Sequence, residues 1–130
     1  MIVLDASAAY EAVTRSPLRD RVDHVTSGET LAVPAHFDGE ILSAIRQRVR
    51  HGELTVTDAT IALELVANLP AERVALSPLL RDAFALRDRL SAFDALYVAL
   101  AARRRARLVT LDARLARGAG DLVEVVLITS

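Results

Sequence analysis

The sequence predicts an α/β fold of three layers, with a mainly parallel central sheet flanked by helices. Three observations lead to this prediction. Short apolar runs alternate along the chain with longer amphipathic or Ala-rich segments, as strands and helices alternate in such folds. The 5 Gly and 4 Pro residues fall between these segments, where turns are expected. A length of 130 residues with 52% hydrophobic residues supplies the core of one domain, covering residues 1–130.

Five short apolar runs are predicted to be strands, because such a run bounded by turn residues or an acid is typical of a buried strand. The first, 2–4, ends at Asp5, and the second, 31–33, ends at Pro34. The run 73–76 is the weakest candidate. The remaining two predicted strands are 107–111 and 123–128.

Helices are predicted between these strands. The clearest covers 37–50, whose apolar stripe is Ile41, Leu42, Ile45 and Val49. Pro is common in the first turn of a helix, so the Ser-Pro pair at 77–78 is expected to open another. The full predicted set is 6–14, 18–25, 37–50, 57–68, 77–90, 93–105 and 112–117.

The composition excludes several kinds of chemistry. The chain contains no Cys, which excludes disulfides, thiol nucleophiles and cysteine-bound metal sites. All 16 basic residues are Arg, so no lysine is present to serve a P-loop or a Schiff base. The net charge of -1 excludes a polycationic tail but not a local basic patch.

Neither a signal peptide nor an apolar run of ~18 residues is present, so we expect a cytoplasmic protein without a membrane contact.

Four of the 17 acidic residues differ from the others in position. Asp5 and Asp112 each directly follow a predicted strand, Asp94 opens a helix that is apolar nearly all round, and Glu40 begins the helix after the second strand. Each has a structural alternative when considered alone. Asp94 could form a capping box with Ser91, Asp112 could be an N-cap or a turn residue, and Glu40 could lie on a solvated face.

Considered together, the four acids favour a metal site. The carboxyl ends of parallel strands share one edge of a sheet, so the four side chains are expected to meet there. Neighbouring carboxylates cannot all stay ionised without a counter-charge, and no Arg is adjacent to them in sequence. A divalent cation is the simplest partner, and an all-oxygen ligand set indicates Mg²⁺ or Mn²⁺ rather than Zn²⁺. Such a site is typical of phosphodiester hydrolysis.

Other candidate catalytic groups do not form a recognisable pattern. His24, His36 and His51 show no metal-binding spacing, and we expect surface or structural roles for them. Ser7 has no His and acid partners in a suitable chain order, so a Ser-His-Asp hydrolase is not expected.

Four motifs, in this order, resemble the PIN-domain family, and within it the VapC-type toxins of bacterial and archaeal toxin–antitoxin pairs. The resemblance covers the whole chain in length, motif order and spacing. The motifs are residues 2–8 (Ile-Val-Leu-Asp-Ala-Ser-Ala), Glu40 with 43–45 (Ser-Ala-Ile), 93–101 (Phe-Asp-Ala-Leu-Tyr-Val-Ala-Leu-Ala), and 108–112 (Leu-Val-Thr-Leu-Asp) with Leu115 and Ala116.

The resemblance implies a Mg²⁺- or Mn²⁺-dependent endoribonuclease, a homodimer, and a cognate small antitoxin protein that blocks the site. It further implies that the metal-binding and catalytic acids are Asp5, Glu40, Asp94 and Asp112. Ser7 and Thr110 would support them with hydrogen bonds. Ser43 stands where many relatives have Asn, and Ala113 and Arg114 stand where some carry a further acid.

RNA or the antitoxin would also need cationic contacts. Arg46 and Arg50 are four residues apart on one predicted helix, near the Glu40 end of the domain, and are candidates for such a contact. A second cluster lies at 103–107, at the far end of the helix that Asp94 opens. The alternative for both is a solvated or helix-end position that favours the helix dipole.

Two other functions stay open at the level of sequence. The chain could be a catalytically inactive PIN-like binding module, or another α/β metal-dependent phosphohydrolase. A haloacid-dehalogenase-like phosphatase would need an acid where Ser7 stands, and a receiver domain would need a lysine late in the sheet. The presence of all four acids favours the nuclease.

Overall fold

The computed structural model describes all 130 residues and contains one sheet of five parallel strands. The strand order is β3-β2-β1-β4-β5, so the first strand of the chain is the central one. Each neighbouring pair is parallel, with Leu4 opposite Val109 where β1 meets β4. The strands are β1 (Ile2–Leu4), β2 (Leu31–Pro34), β3 (Ala71–Val74), β4 (Arg107–Thr110) and β5 (Val125–Leu127).

Seven α-helices flank the sheet, which confirms the predicted α/β class. One group consists of α1, which packs against α2, α3 and α4, and another of α5 and α6. α6 also contacts β1, β2 and β4, the middle of the sheet. The helices are α1 (Ala6–Val13), α2 (Arg19–Thr26), α3 (Phe37–Arg50), α4 (Val56–Ala67), α5 (Leu80–Ala85), α6 (Ala92–Arg104) and α7 (Ala113–Ala119).

The core lies around β1, β4 and α6. Ile2, Val3 and Leu108 are fully buried, and so is Tyr97, the largest of the fully buried side chains. Every residue of α6 from 95 to 101 is buried, which explains why this helix lacks a polar face in sequence. A buried framework of this kind holds the residues at its ends in fixed positions.

The predicted helix over 77–90 is the largest difference from the sequence-based expectation. Residues Ser77–Leu79 form a 3-10 turn, α5 ends at Ala85, and 86–90 follow as turns. The physical reason is tertiary packing: Leu90 lies so close to Gly118 that a Cβ there would be 2.2 Å from Leu90 Cδ2. β3 also begins two residues earlier than predicted, at Ala71, and ends at Val74.

None of the helices has both the length and the apolar character that crossing a membrane requires.

Candidate active site

Asp5 directly follows β1, and its side chain is held by two hydroxyl groups. The residue is 6% exposed, and its Oδ2 accepts hydrogen bonds from Ser7 Oγ at 2.6 Å and from Thr110 Oγ1 at 2.7 Å. Oδ1 accepts no hydrogen bond from the protein. The carboxylate is therefore oriented through one oxygen, while the other is left for a ligand.

The same two hydroxyls connect the end of β1 to the segment that follows β4. Ser7 Oγ accepts a hydrogen bond from the backbone N–H of Leu111 at 3.0 Å. Thr110 Oγ1 accepts one from the N–H of Asp112, also at 3.0 Å. Each hydroxyl thus donates to Asp5 and accepts from the backbone, which sets the position of Asp112 relative to Asp5.

Asp112 is the N-cap of α7. Its Oδ1 accepts hydrogen bonds from the N–H groups of Arg114 at 2.8 Å and Leu115 at 3.3 Å. The structural alternative considered for this residue is therefore correct. Oδ2 has no hydrogen-bond partner in the protein, so the capping role leaves one oxygen free for a cation.

Asp94 lies in the first turn of α6, where Ser91 is the capping residue. The N–H of Asp94 donates to Ser91 Oγ at 3.4 Å, and no hydrogen bond joins the Asp94 carboxylate to a backbone N–H. Only the serine half of the expected capping box is present. Burial raises the pKa of Asp94, and the charges of Asp5 and Asp112 raise it further, although the Ser91 hydroxyl and Arg114 oppose the shift.

Glu40, in α3, is bound by a buried tyrosine. Tyr97 donates a hydrogen bond from its hydroxyl to Glu40 Oε1 at 2.7 Å. Burial raises the pKa of Glu40; the Tyr97 hydrogen bond opposes this, and the charges of Asp5 and Asp94 add to it. Burial and the neighbouring Glu40 hold the pKa of Tyr97 far above its usual range, so the hydroxyl stays protonated and continues to donate.

Sequence reasoning missed two residues that contact Glu40. His36 Nε2 lies 3.3 Å from Glu40 Oε1, although neither nitrogen of the ring makes a hydrogen bond. The ring stacks on Phe93 with centroids 5.0 Å apart and meets Tyr97 edge-on at 5.1 Å. The spacing of four residues between His36 and Glu40 was the available signal. For Tyr97, the apolar sequence of α6 gave no signal that its hydroxyl donates a hydrogen bond to Glu40.

The four predicted acids influence one another electrostatically. Asp5 raises the pKa of both Asp94 and Glu40, and Asp112 raises that of Asp94. No three Asp, Glu or His side chains are close enough to hold one ion directly between them. This arrangement fits Mg²⁺, which is usually bound through one or two carboxylates and keeps several of its waters. The oxygen-only donors and the free oxygens of Asp5 and Asp112 fit the same ion.

The other predicted contact residues lie elsewhere. Ser43 is exposed and makes no side-chain hydrogen bond. Arg46 and Arg50 line a groove of about 340 Å³ between α3 and α4, which none of the four acids lines. Their contact with RNA or an antitoxin stays a prediction.

The arginines at the end of α6 have structural partners. Arg103 donates to the carbonyl oxygen of Pro78 at 2.7 Å. Arg104 pairs with Glu72, and Arg107 pairs with Glu29. These contacts account for most of the 103–107 cluster without a ligand.

A cleft of about 680 Å³ opens beside Asp94, and sequence reasoning missed it. Its walls come from the turns after α5, the start of α6, and α7. The lining residues are Arg87, Asp88, Arg89, Leu90, Ser91, Asp94, Arg114, Arg117 and Gly118. A smaller pocket of about 320 Å³ adjoins Glu40 and Ser7 and includes Tyr10 and Arg48.

Comparison with known proteins assigns this chain to a family. The family model described as "PIN domain" matches residues 2–121, so the chain belongs to the PIN-domain family. Ribonuclease VapC12 of Mycobacterium tuberculosis is 38% identical over 98% of this chain and 99% of its own length. Ribonuclease VapC3 of the same species is 42% identical over 89% of this chain and 85% of its own length.

A solved structure shares the fold at low sequence identity. VapBC2 from Rickettsia felis, solved bound to a DNA fragment from their promoter, superposes with a TM-score of 0.71 at 15% identity. The match covers 99% of this chain and 100% of that one. The arrangement of sheet and helices is therefore kept where most side chains differ.

Proposed function

We propose that this protein is a metal-dependent endoribonuclease and the toxin of a type II toxin–antitoxin pair. The observation that carries the proposal is the group of interacting carboxylates around Asp5, which the hydroxyls of Ser7 and Thr110 orient at the carboxyl edge of the central strand. Two relatives that match nearly the full chain are named ribonucleases, which supports RNA as the substrate.

Asp5, Asp94, Asp112 and Glu40 are the residues that would hold Mg²⁺ or Mn²⁺, directly or through water. When bound, the ion would lower the pKa of a coordinated water and neutralise charge on the scissile phosphate. The protein's own contribution is orientation. Ser7 and Thr110 fix the Asp5 carboxylate, and Tyr97 fixes Glu40, so neither acid has to reorganise when substrate arrives.

Partners and location belong to the same proposal. We expect this protein to act on RNA in the cytoplasm and to be inhibited by a small antitoxin protein. The likeness to VapBC2 of Rickettsia felis supports such a partner. We also propose a homodimer. Leu80 and Phe84 are 56% and 67% exposed and border an apolar groove of about 460 Å³, which supports association. Light scattering over a range of protein concentrations tests the dimer, and a monomer throughout would contradict it.

RNA cleavage with Mg²⁺, with Mn²⁺ and with EDTA tests the activity. The expected result is cleavage with either ion and none with EDTA.

Asp5→Asn and Asp94→Asn should each reduce the rate at least ~100-fold while leaving the fold intact, because an amide keeps the shape but loses the charge that holds the cation. Asp82→Asn, an exposed change on α5, is the matched control. Wild-type activity in the Asp5 or Asp94 variant would contradict the assignment. Failure of the wild type to cut RNA under any condition would favour a binding module.

A further inference from the structure

We propose that the arginine-lined cleft beside Asp94 binds backbone phosphates of single-stranded RNA next to the bond that is cut. This inference rests on the proposed nuclease function and specifies how that site would hold its substrate. The cleft is defined by Arg87, Arg89, Arg114 and Arg117, with Asp94 at its edge.

No acid neutralises the arginines of the cleft through an ion pair, although Arg87 donates a hydrogen bond to the carbonyl oxygen of Phe84 and lies over its ring. None of its four arginines forms an ion pair, whereas the chain's ion pairs use Arg19, Arg48, Arg73, Arg104 and Arg107. All four cleft arginines are exposed. They outnumber the two aspartates of the lining, Asp88 and Asp94, in a protein whose net charge is -1. The cleft therefore carries a local excess of positive charge.

The shape of the cleft depends on a close backbone contact. A Cβ at Gly118 would lie 2.9 Å from the carbonyl oxygen of Arg89 and 2.2 Å from Leu90 Cδ2. Since only a glycine fits, the turns that carry Arg87 and Arg89 lie directly against α7, which carries Arg114 and Arg117. Two segments distant in sequence thus present their guanidinium groups to one space.

The lining indicates the chemical class of the ligand. Only one of its nine residues is hydrophobic, and none is aromatic. Base stacking would need aromatic side chains, so recognition here would be of the backbone and tolerant of sequence. Arginine binds either phosphate or carboxylate through two parallel hydrogen bonds. Four arginines in one cleft suit a chain of phosphates better than a single anion. Because Asp94 is a proposed metal ligand at the edge of the cleft, the bound phosphates would be those adjoining the scissile one.

The test compares two double variants that remove equal charge. Arg87→Gln with Arg117→Gln alters the cleft, and Arg15→Gln with Arg19→Gln removes two exposed arginines that do not line it. Binding of a fluorescein-labelled oligouridylate is measured in EDTA by anisotropy at several salt concentrations, with melting temperatures as the folding control. The cleft variant should raise the Kd roughly tenfold or more and reduce the slope of log K against log salt by about 1.4, because each lost phosphate contact on a single strand removes about 0.7. The variant at Arg15 and Arg19 should change neither.

Other outcomes would overturn the inference. A cleft variant with the wild-type Kd and salt slope would do so, as would a wild type that binds no oligouridylate. Poly-L-glutamate is the second probe: if it binds the wild type as tightly as the RNA and loses affinity in the cleft variant, the cleft is a site for an acidic protein segment instead. Because binding is measured in EDTA, a protein that binds RNA through the cleft but cuts nothing with Mg²⁺ would keep the cleft as an RNA-binding site and remove the nuclease proposal.

Discussion

Thr110 donates a hydrogen bond to Asp5 over 2.7 Å, although the two residues are 105 positions apart in sequence. The contact joins the ends of β1 and β4, and the Thr110 side chain is fully buried. Its Oγ1 also accepts from the N–H of Asp112. One hydroxyl therefore aligns two of the proposed metal ligands.

Replacing this hydroxyl by a methyl group should affect both stability and activity. Thr110→Val keeps the volume but leaves Asp5 Oδ2 with Ser7 alone and the Asp112 N–H without a partner. We expect a loss of about 1–3 kcal/mol in the free energy of unfolding and a fall in RNA cleavage of roughly 10–100-fold. Chemical denaturation and initial cleavage rates measure the two effects.

Thr60→Val is the control, since the Thr60 hydroxyl bonds only to the carbonyl oxygen of Val56 on the exposed side of α4. Equal activity in both variants would mean that Thr110 does not orient the site.

The two roles of Asp112 can be separated by two substitutions. Asn is as good an N-cap as Asp, so Asp112→Asn should keep the cap of α7 while removing a charge that raises the pKa of Asp94. We expect this variant to melt at a higher temperature than the wild type in EDTA and to show a smaller shift with Mg²⁺ or Mn²⁺. Asp112→Ala also loses the cap, which costs about 0.5–2 kcal/mol. Thermal unfolding with EDTA and with millimolar metal distinguishes them. If Asp112 serves only as a cap, Asp112→Asn and the wild type will respond to metal identically.

The acid cluster should make the metal-free protein more stable at mildly acidic pH. The pKa of Glu40 is raised from its ordinary 4.5 and that of Asp94 from 3.8, so the folded chain binds protons that the unfolded chain releases. The stability from these two groups is fully present below those ordinary values and is lost as the pH rises through the raised ones.

Glu40→Gln isolates this effect from the titration of other groups. Its amide oxygen can still accept the Tyr97 hydrogen bond, but it carries no charge. In EDTA, the melting temperature of the variant should exceed that of the wild type by more at pH 7 than at pH 4. A difference that does not change with pH would show that burial and the neighbouring acids do not destabilise ionised Glu40.

A residue larger than glycine at position 118 should lower the stability of the fold. A Cβ at this position meets Leu90 Cδ2 at 2.2 Å and the Arg89 carbonyl oxygen at 2.9 Å, so α7 or the turns after α5 must move. Gly118→Ala should destabilise the protein by about 1–3 kcal/mol, as overpacking does elsewhere. Gly39→Ala is the matched control, because it lies within α3 with nothing within 4 Å of its Cβ position and should stabilise by about 0.5–1 kcal/mol. If urea unfolding gives the two variants equal stability, Leu90 and the Arg89 carbonyl can move away from a Cβ at position 118 without loss of folding free energy.

The sequence predicts one edge of the sheet well because that edge depends on local patterns. An acid directly after an apolar run, as at Asp5, needs only the parallel arrangement of strands to be placed. The helix predicted over 93–105 is expected to be buried because residues 95–102 have no polar face, and the structure has this helix at Ala92–Arg104.

Contacts between distant segments could not be read in the same way. Tyr97 and Glu40 are 57 positions apart, and an apolar helix gives no sign that one of its tyrosines donates to a carboxylate. The arginine cleft could not be predicted from the sequence because a continuous helix was expected over 77–90. On such a helix, Arg87 and Arg89 would point in different directions, whereas the turns after Ala85 bring both to one cleft.

The central position of β1 has a consequence for biosynthesis. β1 is the first strand made, yet its β4 neighbour is complete only when residue 110 has been added. Parallel pairing across so long an intervening segment forms late and slowly. A nascent chain that stops before Thr110 also lacks one of the two hydroxyls that hold Asp5. A ribosome therefore carries this protein without an assembled carboxylate site at least until residue 112 has been added.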